Sequence, residues 1–491
     1  MNRNKIGLVA GPLTFLLVML FFEPAGLTDQ ARAVLACTAW IAIWWITEAL
    51  PIAVTALLPI ILFPLTGGLS LGETTASFGH RYVFLYIGGF VLAIAIQKWN
   101  LHKRIALSVI RVVGTDIVKI LLGFMIATAF MSMWISNTAT TVMMLPIGIA
   151  IVAQLQDNPE TEENENLIFG KALMLAIAYS ATIGGISTLI GTPPNLVLAG
   201  VLQETYGIEL TFANWFIFGL PISLILLLIC WSYLTKIAFK FKQKAFPGGR
   251  AEIRNQLEAL GPVSFEEKLV LAVFALTAAA WISRAFLLAP FIPAIDDTII
   301  AIATTVVLFI LPARERGKKI VTWEEAVKLP WGILLLFGGG MALAAGFQES
   351  GLASWLGGQV TLLQGVAIIV LVVVLIAAVN FLTEVTSNLA TTAMLLPILA
   401  PLALAIDIHP LLLMVAATVA ASCAFMLPVA TPPNAVVFGS GYLTIPDMVK
   451  TGFWLNLISI GLLTLFVYFV LPQLWSFDAS TFPEALKTVG K

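Results

Sequence analysis

The same polar sequence stands at the centre of two apolar runs, and each run is too long for a single membrane crossing. The runs cover residues 120–155 and 365–405. Their polar segments read Ser-Asn-Thr-Ala-Thr-Thr at 136–141 and Ser-Asn-Leu-Ala-Thr-Thr at 387–392, which is 251 residues later. Irregular backbone at membrane depth is tolerated only where protein or a water-filled cavity surrounds it. Each run is therefore predicted to enter the membrane, turn on its polar residues and leave by the same side, as a re-entrant hairpin.

The composition indicates a membrane protein. Of 491 residues, 59% are hydrophobic and 11% are charged, and the mean hydropathy is +0.99. A soluble domain cannot bury that much apolar surface, so the chain is predicted to be an all-α polytopic membrane protein. The net charge of −1 gives no indication of a nucleic-acid partner. The three cysteines lie far apart in apolar runs, which indicates neither a disulfide framework nor a zinc site.

The other apolar runs predict eleven crossings. They lie near 6–22, 33–50, 52–66, 83–98, 168–203, 214–235, 267–289, 295–312, 330–346, 411–440 and 452–472. Basic residues cluster in 98–119, 236–254 and 314–328, whereas 203–214 and 348–364 contain none. Because cytoplasmic loops carry the excess of Lys and Arg, the N-terminus is predicted to be cytoplasmic and the C-terminus outside. Short loops and the absence of a targeting segment favour a bacterial inner membrane.

A second pair of polar segments extends the repeat. Gly-Thr-Pro-Pro-Asn at 191–195 returns as Ala-Thr-Pro-Pro-Asn at 430–434, which is 239 residues later. Each half has five crossings, an odd number, so the halves are predicted to be inverted relative to each other, as in many secondary transporters. The predicted divisions are a first helix with its connection (1–32), a first repeat (33–235), a cytoplasmic linker (236–266), a second repeat (267–472) and a C-terminal tail (473–491).

The residue types in these four segments favour the starts of helices. Ser, Asn and Thr are common N-caps, and proline suits the first helical turn. Helix N-termini present free N–H groups and a partial positive charge, so four converging ends can hold carboxylates without Lys or Arg. Unwound carbonyls and side-chain oxygens at the same breaks can bind a small monovalent cation. The repeat therefore predicts two similar cation sites that flank one anion site.

The twin motifs, at their spacing from Thr-Pro-Pro-Asn, resemble the divalent anion/sodium symporter (DASS) family, which has Ser-Asn-Thr at the tips of two re-entrant hairpins. The stretch Thr-Glu-Ala-Leu-Pro at 47–51 is similar to one in the branch of that family that carries dicarboxylates and citrate. The resemblance extends from about residue 33 to residue 472. It implies a homodimer whose protomers move substrate by an elevator motion, with sodium as the coupling ion and no other cofactor.

The resemblance also implies a set of site residues. One sodium ion would bind at Ser132, Ser136, Asn137 and Gly191, and a second at Thr383, Thr386, Asn388 and Ala430. The substrate would contact Asn137, Thr138, Thr192 and Pro193 on one side, and Asn388, Leu389, Thr431 and Pro432 on the other. The internal repeat supports the pairing of the two sodium sites, because Thr383 lies 251 residues after Ser132.

Three residues within these runs leave questions open. Leu389 stands where the family pattern has Thr, and the lost hydroxyl leaves substrate size and affinity undetermined. Glu384 adjoins Thr383 and is predicted either to support the cation or to make a structural hydrogen bond, because a carboxylate within the bilayer needs a partner. Glu48 lies near the predicted inner boundary, where a structural role is expected.

These features predict a carrier and not an enzyme. The leading prediction is sodium-coupled symport of di- or tricarboxylates such as succinate, malate, fumarate or citrate. Exchange of dicarboxylates, for example 2-oxoglutarate against malate or succinate, is the alternative, and sulfate transport is a weaker one. A hydrolase is disfavoured because His80, His102 and His409 have no metal-ligand spacing and no Gly-x-Ser-x-Gly motif occurs. A channel would not explain two hairpins that close over one site.

Overall fold

The computed structural model describes residues 3–114, 116–154, 164–241, 249–314, 318–359 and 366–487. Most of these residues are helical, and the described part of the chain has one isolated backbone bridge, between Pro312 and Lys319. Parts of the predicted hairpins, linker and tail, at 155, 242–248, 365 and 488–491, lie outside the described residues.

Helices follow one another closely along the described chain. Up to the linker they are α1 (Arg3–Phe21), α2 (Asp29–Thr47), α3 (Ile52–Thr55), α4 (Leu58–Thr66), α5 (Leu71–Ala76), α6 (Arg81–Lys98), α7 (Leu101–Val113), α8 (Ile117–Ser132), α9 (Asn137–Gln154), α10 (Glu165–Gly185), α11 (Pro193–Tyr206) and α12 (Phe212–Tyr233). A 3₁₀ turn, Ser77–Gly79, leads into α6, and the π-helical turn Leu234–Ala238 ends α12.

The remaining helices begin within the linker. They are α13 (Gly249–Ala259), α14 (Phe265–Ser283), α15 (Asp297–Ile310), α16 (Trp323–Ala326), α17 (Trp331–Glu349), α18 (Leu352–Gln359), α19 (Ile368–Leu382), α20 (Asn388–Ala405), α21 (Pro410–Ala421), α22 (Pro432–Phe438), α23 (Ile445–Leu465), α24 (Leu471–Leu474) and α25 (Glu484–Lys487). π-helical turns at Arg284–Leu288 and Phe466–Val470 extend α14 and α23.

The predicted all-α, multi-pass character is confirmed. Nine helices among the described residues are long and apolar enough to cross a membrane. Several predicted crossings are instead divided into shorter pieces: the run at 52–66 forms α3 and α4, and the run at 168–203 forms α10 and α11. Such breaks explain why fewer long helices than eleven are found, and the number of crossings stays a prediction.

Helices restart where the sequence predicted. α11 begins at Pro193 and α22 at Pro432, each directly after a threonine with extended backbone. Proline fits this position because its missing N–H would have no partner in the first turn. The returning helices α9 and α20 begin at Asn137 and Asn388, the asparagines of the twin motifs.

The helices that carry the four polar segments pack against one another. α8 and α9 lie on α10, α22 packs on both α9 and α10, and α20 packs on α21 and α11. The contact between α8 and α10 is close enough that a Cβ atom at Gly184 would overlap the backbone of Ala129. Small residues permit this approach of helix backbones within membranes.

The buried carboxylate of Glu384 connects the turn between α19 and α20 to the unwound segment that follows α21. Glu384 is 3% exposed, and its oxygens accept hydrogen bonds from the N–H groups of residues 425, 426 and 427 at 2.7–3.1 Å. Asn456 Nδ2 on α23 donates to Glu384 Oε1 at 2.7 Å. Of the two roles predicted for this residue, the structure shows the structural hydrogen bond.

In the first half, a different contact joins the corresponding hairpin turn to the unwound segment that follows α10. Met133 stands 251 residues before Glu384, and its carbonyl oxygen accepts a hydrogen bond from Thr188 Oγ1 at 2.6 Å. Thr188 in turn stands 239 residues before Leu427, whose N–H donates to Glu384. The two junctions therefore join corresponding positions, one through a neutral hydroxyl and the other through a carboxylate.

Replacing Glu384 by glutamine should destabilise the fold. The amide would place a donor against backbone N–H groups, and hydrogen bonds to a charged group contribute about 1.5–3 kcal/mol each. We expect Glu384→Gln to lower the free energy of unfolding by about 2 kcal/mol, measured by denaturation of the purified protein in detergent. Glu258→Gln, at an exposed glutamate paired with Arg254, is the matched control. Equal stability of the two variants would contradict this assignment.

Candidate functional site

The four polar segments meet around one cavity of about 680 Å³. Its walls include residues from every segment: 136–138, 190–194, 387–389 and 428–433. The volume lies within the roughly 300–1,000 Å³ range of ligand pockets in proteins. Segments that are far apart in the sequence therefore form a single candidate site.

Two helix–turn–helix units bring the twin motifs to this cavity. Hairpin 1 consists of α8, the turn at 133–136 and α9, and hairpin 2 consists of α19, the turn at 383–387 and α20. The first turn of each returning helix has the same hydrogen bond: Thr141 Oγ1 donates to the Asn137 carbonyl at 2.8 Å, and Thr392 Oγ1 donates to the Asn388 carbonyl at 2.9 Å. The repeat is thus visible in side-chain contacts as well as in sequence.

Two buried asparagines hold the unwound segments of the Thr-Pro-Pro-Asn motifs. Asn195 Nδ2 donates to the carbonyls of Gly185 and Thr188 at 3.2 and 2.7 Å. Asn434 Nδ2 donates to the carbonyls of Ala424 and Leu427 at 3.4 and 3.0 Å. Gly185 and Ala424 are 239 residues apart, and so are Thr188 and Leu427. Equivalent hydrogen bonds therefore hold the two loops.

The surroundings of Asn137 consist of oxygen atoms. Its amide oxygen lies 2.6 Å from Ser132 Oγ, and the same end of the side chain is 3.2 Å from the carbonyl oxygens of Ala181 and Gly191. Either the amide nitrogen occupies this end and shares its two N–H groups among three oxygens, or the amide oxygen occupies it and a cation lies among four oxygens. Oxygen ligands of this kind suit a hard cation such as sodium.

Asn388 has a similar environment in hairpin 2. Thr383 Oγ1 lies 2.7 Å from Asn388 Oδ1 and 3.0 Å from the Ala421 carbonyl oxygen. A single hydroxyl proton cannot bridge both contacts well, so these three oxygens also suit a cation. Thr386 is differently engaged, because its Oγ1 lies 2.9 Å from the Leu382 carbonyl oxygen and 2.7 Å from Thr391 Oγ1.

The structure separates the predicted site residues into two groups. Those that line the cavity are Ser136, Asn137, Thr138, Gly191, Thr192, Pro193, Asn388, Leu389, Ala430, Thr431 and Pro432. Ser132, Thr383 and Thr386 do not line it and are at most 5% exposed. Ser132 and Thr383 contact the motif asparagines from behind the cavity wall, whereas Ala181 and Ala421 complete the oxygen clusters and were not predicted.

The cavity wall is largely apolar and carries polar groups but no basic side chain. The helices α9, α11, α20 and α22 all begin at its wall, where the positive ends of their dipoles lie. Free N–H groups are available at the starts of α9 and α20, whereas α11 and α22 each begin with two prolines. The lining residues include neither Lys nor Arg, and the one carboxylate among them is Glu48. Glu48 is exposed and follows the last residue of α2 in the left-handed conformation, with φ of 50°. It lines the candidate site, whereas the sequence predicted a structural role for it near the inner boundary.

An aromatic wall was also missed by the sequence analysis. Tyr86 and Phe90 on α6 line the cavity with their rings stacked at 5.3 Å, and Tyr86 Oη donates to the Pro193 carbonyl at 2.9 Å. Their spacing of four residues places them on one face of α6. The same spacing is common among buried core aromatics, so it gave no sign of a site.

Solved transporter structures share the overall fold. The chain is similar to a structure described as Neisseria gonorrhoeae MtrF of a class of antimetabolite efflux pumps, with a TM-score of 0.56, 14% identity and 96% of each chain covered. It is also similar to the Alcanivorax borkumensis YdaH transporter, with a TM-score of 0.56, 17% identity and coverage of 82% of this chain and 87% of that one. Identities this low show the fold alone.

Relatives at higher identity cover nearly the whole chain. A protein of Staphylococcus saprophyticus named sodium-dependent dicarboxylate transporter SdcS is 51% identical over 488 residues, which is 98% of this chain and 94% of that relative. The protein of the same name from Staphylococcus aureus strain USA300 is 50% identical over 479 residues, which is 96% of this chain and 92% of that relative.

A family profile extends over almost the same region. The profile described as the sodium:sulfate symporter transmembrane region matches residues 3–475, a span that contains both hairpins and both Thr-Pro-Pro-Asn segments. Because this profile matches nearly the whole chain and relatives are about 50% identical to it, the chain belongs to the sodium:sulfate symporter family, also called the divalent anion/sodium symporters, as its twin motifs predicted.

Proposed function

We propose that this chain is a secondary transporter that couples the symport of sodium to that of dicarboxylates or tricarboxylates, of the succinate, malate, fumarate and citrate class. One observation carries the proposal: four helix N-termini and two oxygen clusters surround a single cavity that contains no basic side chain. The names of the two staphylococcal relatives support it, since both are called sodium-dependent dicarboxylate transporters.

The substrate carboxylates would bind between the two halves. On one side they would contact Asn137, Thr138, Thr192 and Pro193; on the other they would contact Asn388, Leu389, Thr431 and Pro432, all of which line the cavity. Donors there are the side chains and the N–H groups at the starts of α9 and α20, because α11 and α22 each begin with two prolines, which have no N–H. A dianion in a largely apolar cavity without Lys or Arg needs further positive charge, because burying unpaired charge is costly.

Sodium ions would supply that charge. The first would bind at Ser132, Ser136, Asn137 and Gly191, where three of these residues already contribute to one oxygen cluster. The second would bind near Thr383, Thr386, Asn388 and Ala430, where Thr383 and Asn388 are in contact. Each asparagine stands between a cation and the substrate, so occupancy of one site favours the other. This mutual dependence is a coupling free energy, which works equally in both directions.

The proposed transport cycle uses the inverted repeat. Eleven crossings and two re-entrant hairpins would form repeats at 33–235 and 267–472, joined by the linker at 236–266. A moving part that carries both hairpins would slide as an elevator against a scaffold held in a homodimer. The distribution of Lys and Arg supports a cytoplasmic N-terminus and an outer C-terminus, in a bacterial inner membrane.

Uptake into proteoliposomes tests this function. Radiolabelled succinate should enter vesicles that contain the purified protein only when sodium is present outside, and unlabelled malate or citrate should compete more strongly than sulfate. Lithium in place of sodium should change the apparent affinity for succinate, because oxygen cages are sensitive to ion size. Uptake that needs a preloaded dicarboxylate and is indifferent to sodium would refute symport and establish exchange.

The motif asparagines should be required for transport. Asn137→Ala and Asn388→Ala each remove an oxygen from a cation cluster, and a charge-assisted contact of about 1.5–3 kcal/mol corresponds to about a ten- to hundredfold loss of sodium affinity. The readout is succinate uptake over a range of sodium concentrations, with Asn214→Ala as a control at an exposed asparagine outside the cavity. Full uptake by either motif variant at low sodium would sink the paired-site proposal.

Leu389 should influence which acid is preferred. Leu389→Thr restores a hydroxyl on the cavity wall, and one neutral hydrogen bond of about 0.5–1.5 kcal/mol changes affinity by about two- to tenfold. Competition by succinate, malate and citrate should therefore rank differently from the wild type. Leu404→Thr, at an exposed leucine on the same helix away from the cavity, should leave the ranking unchanged. If the two variants behave alike, Leu389 does not face the substrate.

A further inference from the structure

A second cavity, of about 300 Å³, is also lined by residues of α9. Its polar lining comes from the end of α6, the start of α7 and hairpin 1: Gln97, Asn100, His102, Lys103 and Thr140. We call this cavity the α7 pocket. It shares none of its lining residues with the larger cavity, so the two cavities are distinct.

The N-terminus of α7 lies at this pocket without a cap. Asn100 precedes the helix with a φ of 56°, and its side chain accepts no hydrogen bond from the first turn. That turn contains Lys103 and Arg104 and no acidic residue, although cations are unfavourable beside the positive end of a helix dipole. A bound anion would offset both the free N–H groups and this charge arrangement.

The two basic side chains of this turn differ in their partners. Arg104 Nε lies 2.7 Å from Glu267 Oε1, so its charge is paired. Lys103 is exposed and has no hydrogen bond or ion pair within the described part of the chain. Burial lowers the pKa of His102 and outweighs the hydrogen bond to the Ile96 carbonyl, which raises it; the Lys103 ammonium lowers it further. His102 is therefore neutral at physiological pH, and Lys103 is the charged side chain of the pocket.

Thr140 of hairpin 1 also lines the pocket and has an unused hydroxyl. It is 0% exposed, and its Oγ1 has no hydrogen-bond partner among the described residues. The corresponding Thr391 of hairpin 2 lies 2.7 Å from Thr386 Oγ1. Hairpin 1 has Ile135 at the position of Thr386, so Thr140 lacks that partner. A buried unsatisfied hydroxyl costs about 1–3 kcal/mol, which a ligand would recover.

The second half of the chain does not repeat these features. Gly351, with a φ of 75°, precedes α18 at the position 251 residues after Asn100. Ala353 and Ser354 stand where His102 and Lys103 do in the first half. The backbone turn is thus preserved while the polar and basic side chains are confined to α7, as expected for a ligand site and not for a packing requirement of the repeat.

We infer that the α7 pocket binds a small oxyanion, a carboxylate or a phosphate group, through the N-terminus of α7, Lys103 and Thr140. In the proposed orientation the pocket opens towards the cytoplasm. A bound anion would join α7 to hairpin 1 and restrain the hairpin, so that accumulated internal anion would slow further uptake. This regulatory consequence rests on the proposed function, whereas the binding itself does not.

Binding is tested on the full chain in sodium-free detergent solution, by equilibrium dialysis with radiolabelled inorganic phosphate and with acetate as competitor. We expect Lys103→Gln and Thr140→Val to weaken phosphate binding at least about tenfold, as loss of a charge-assisted hydrogen bond predicts, and Thr140→Ser to retain it. The matched control is Lys268→Gln, at an exposed lysine of α14 without a partner among the described residues. Absence of phosphate binding, or equal binding by Lys103→Gln and Lys268→Gln, would overturn the inference.

Two further measurements distinguish the source of the anion and its effect. If phosphate binding persists in phosphatidylcholine nanodiscs and is lost when phosphatidylglycerol is added, the oxyanion is a lipid headgroup; if it persists in both, it is a soluble anion. In proteoliposomes, internal phosphate should slow sodium-driven succinate uptake by wild-type protein and not by Lys103→Gln. Uptake by both proteins that is equally slowed would refute the regulatory role, and absence of uptake would count against the proposed function and leave the dialysis result intact.

Discussion

Backbone groups that lose their helical partners at membrane depth must find others, because lipid offers none. The four helix breaks of this chain meet that requirement in two ways. The side chains of Asn195 and Asn434 donate hydrogen bonds to carbonyls of the two unwound segments. The carboxylate of Glu384 accepts hydrogen bonds from three N–H groups of the segment that follows α21. The groups left over face a common cavity, so the atoms available to ligands are those that the fold did not pair.

Local chemistry explains what the sequence could predict. The helix starts at Pro193 and Pro432 were predicted from the positional preferences of proline and threonine. The internal repeat predicted that the corresponding segments of the two halves would be equivalent. The lining by Glu48 and Tyr86 could not be predicted, because it depends on how α2 and α6 pack against helices that are distant in the sequence, such as α20 and α11. The hydrogen-bond partners of Glu384 could not be predicted either, because they are backbone N–H groups of residues 425–427 and do not depend on the side chains there.

Substitutions between the halves show where the repeat has been modified. Because Ile135 stands where hairpin 2 has Thr386, the hydroxyl of Thr140 has no partner among the described residues, whereas that of the corresponding Thr391 is paired. Lys103 and His102 give α7 a polarity that α18 lacks. A repeated architecture fixes the backbone of both halves, whereas single side chains decide which half acquires an additional surface for ligands.

The two junctions are held by contacts of unequal strength. Separating Thr188 from the carbonyl of Met133 breaks one neutral hydrogen bond, whose net contribution is about 1 kcal/mol. Separating Glu384 from residues 425–427 would strip a carboxylate of its donors in a buried setting, at a much larger cost. The two halves of a structure built from one duplicated unit therefore differ in how strongly these contacts join their helix breaks.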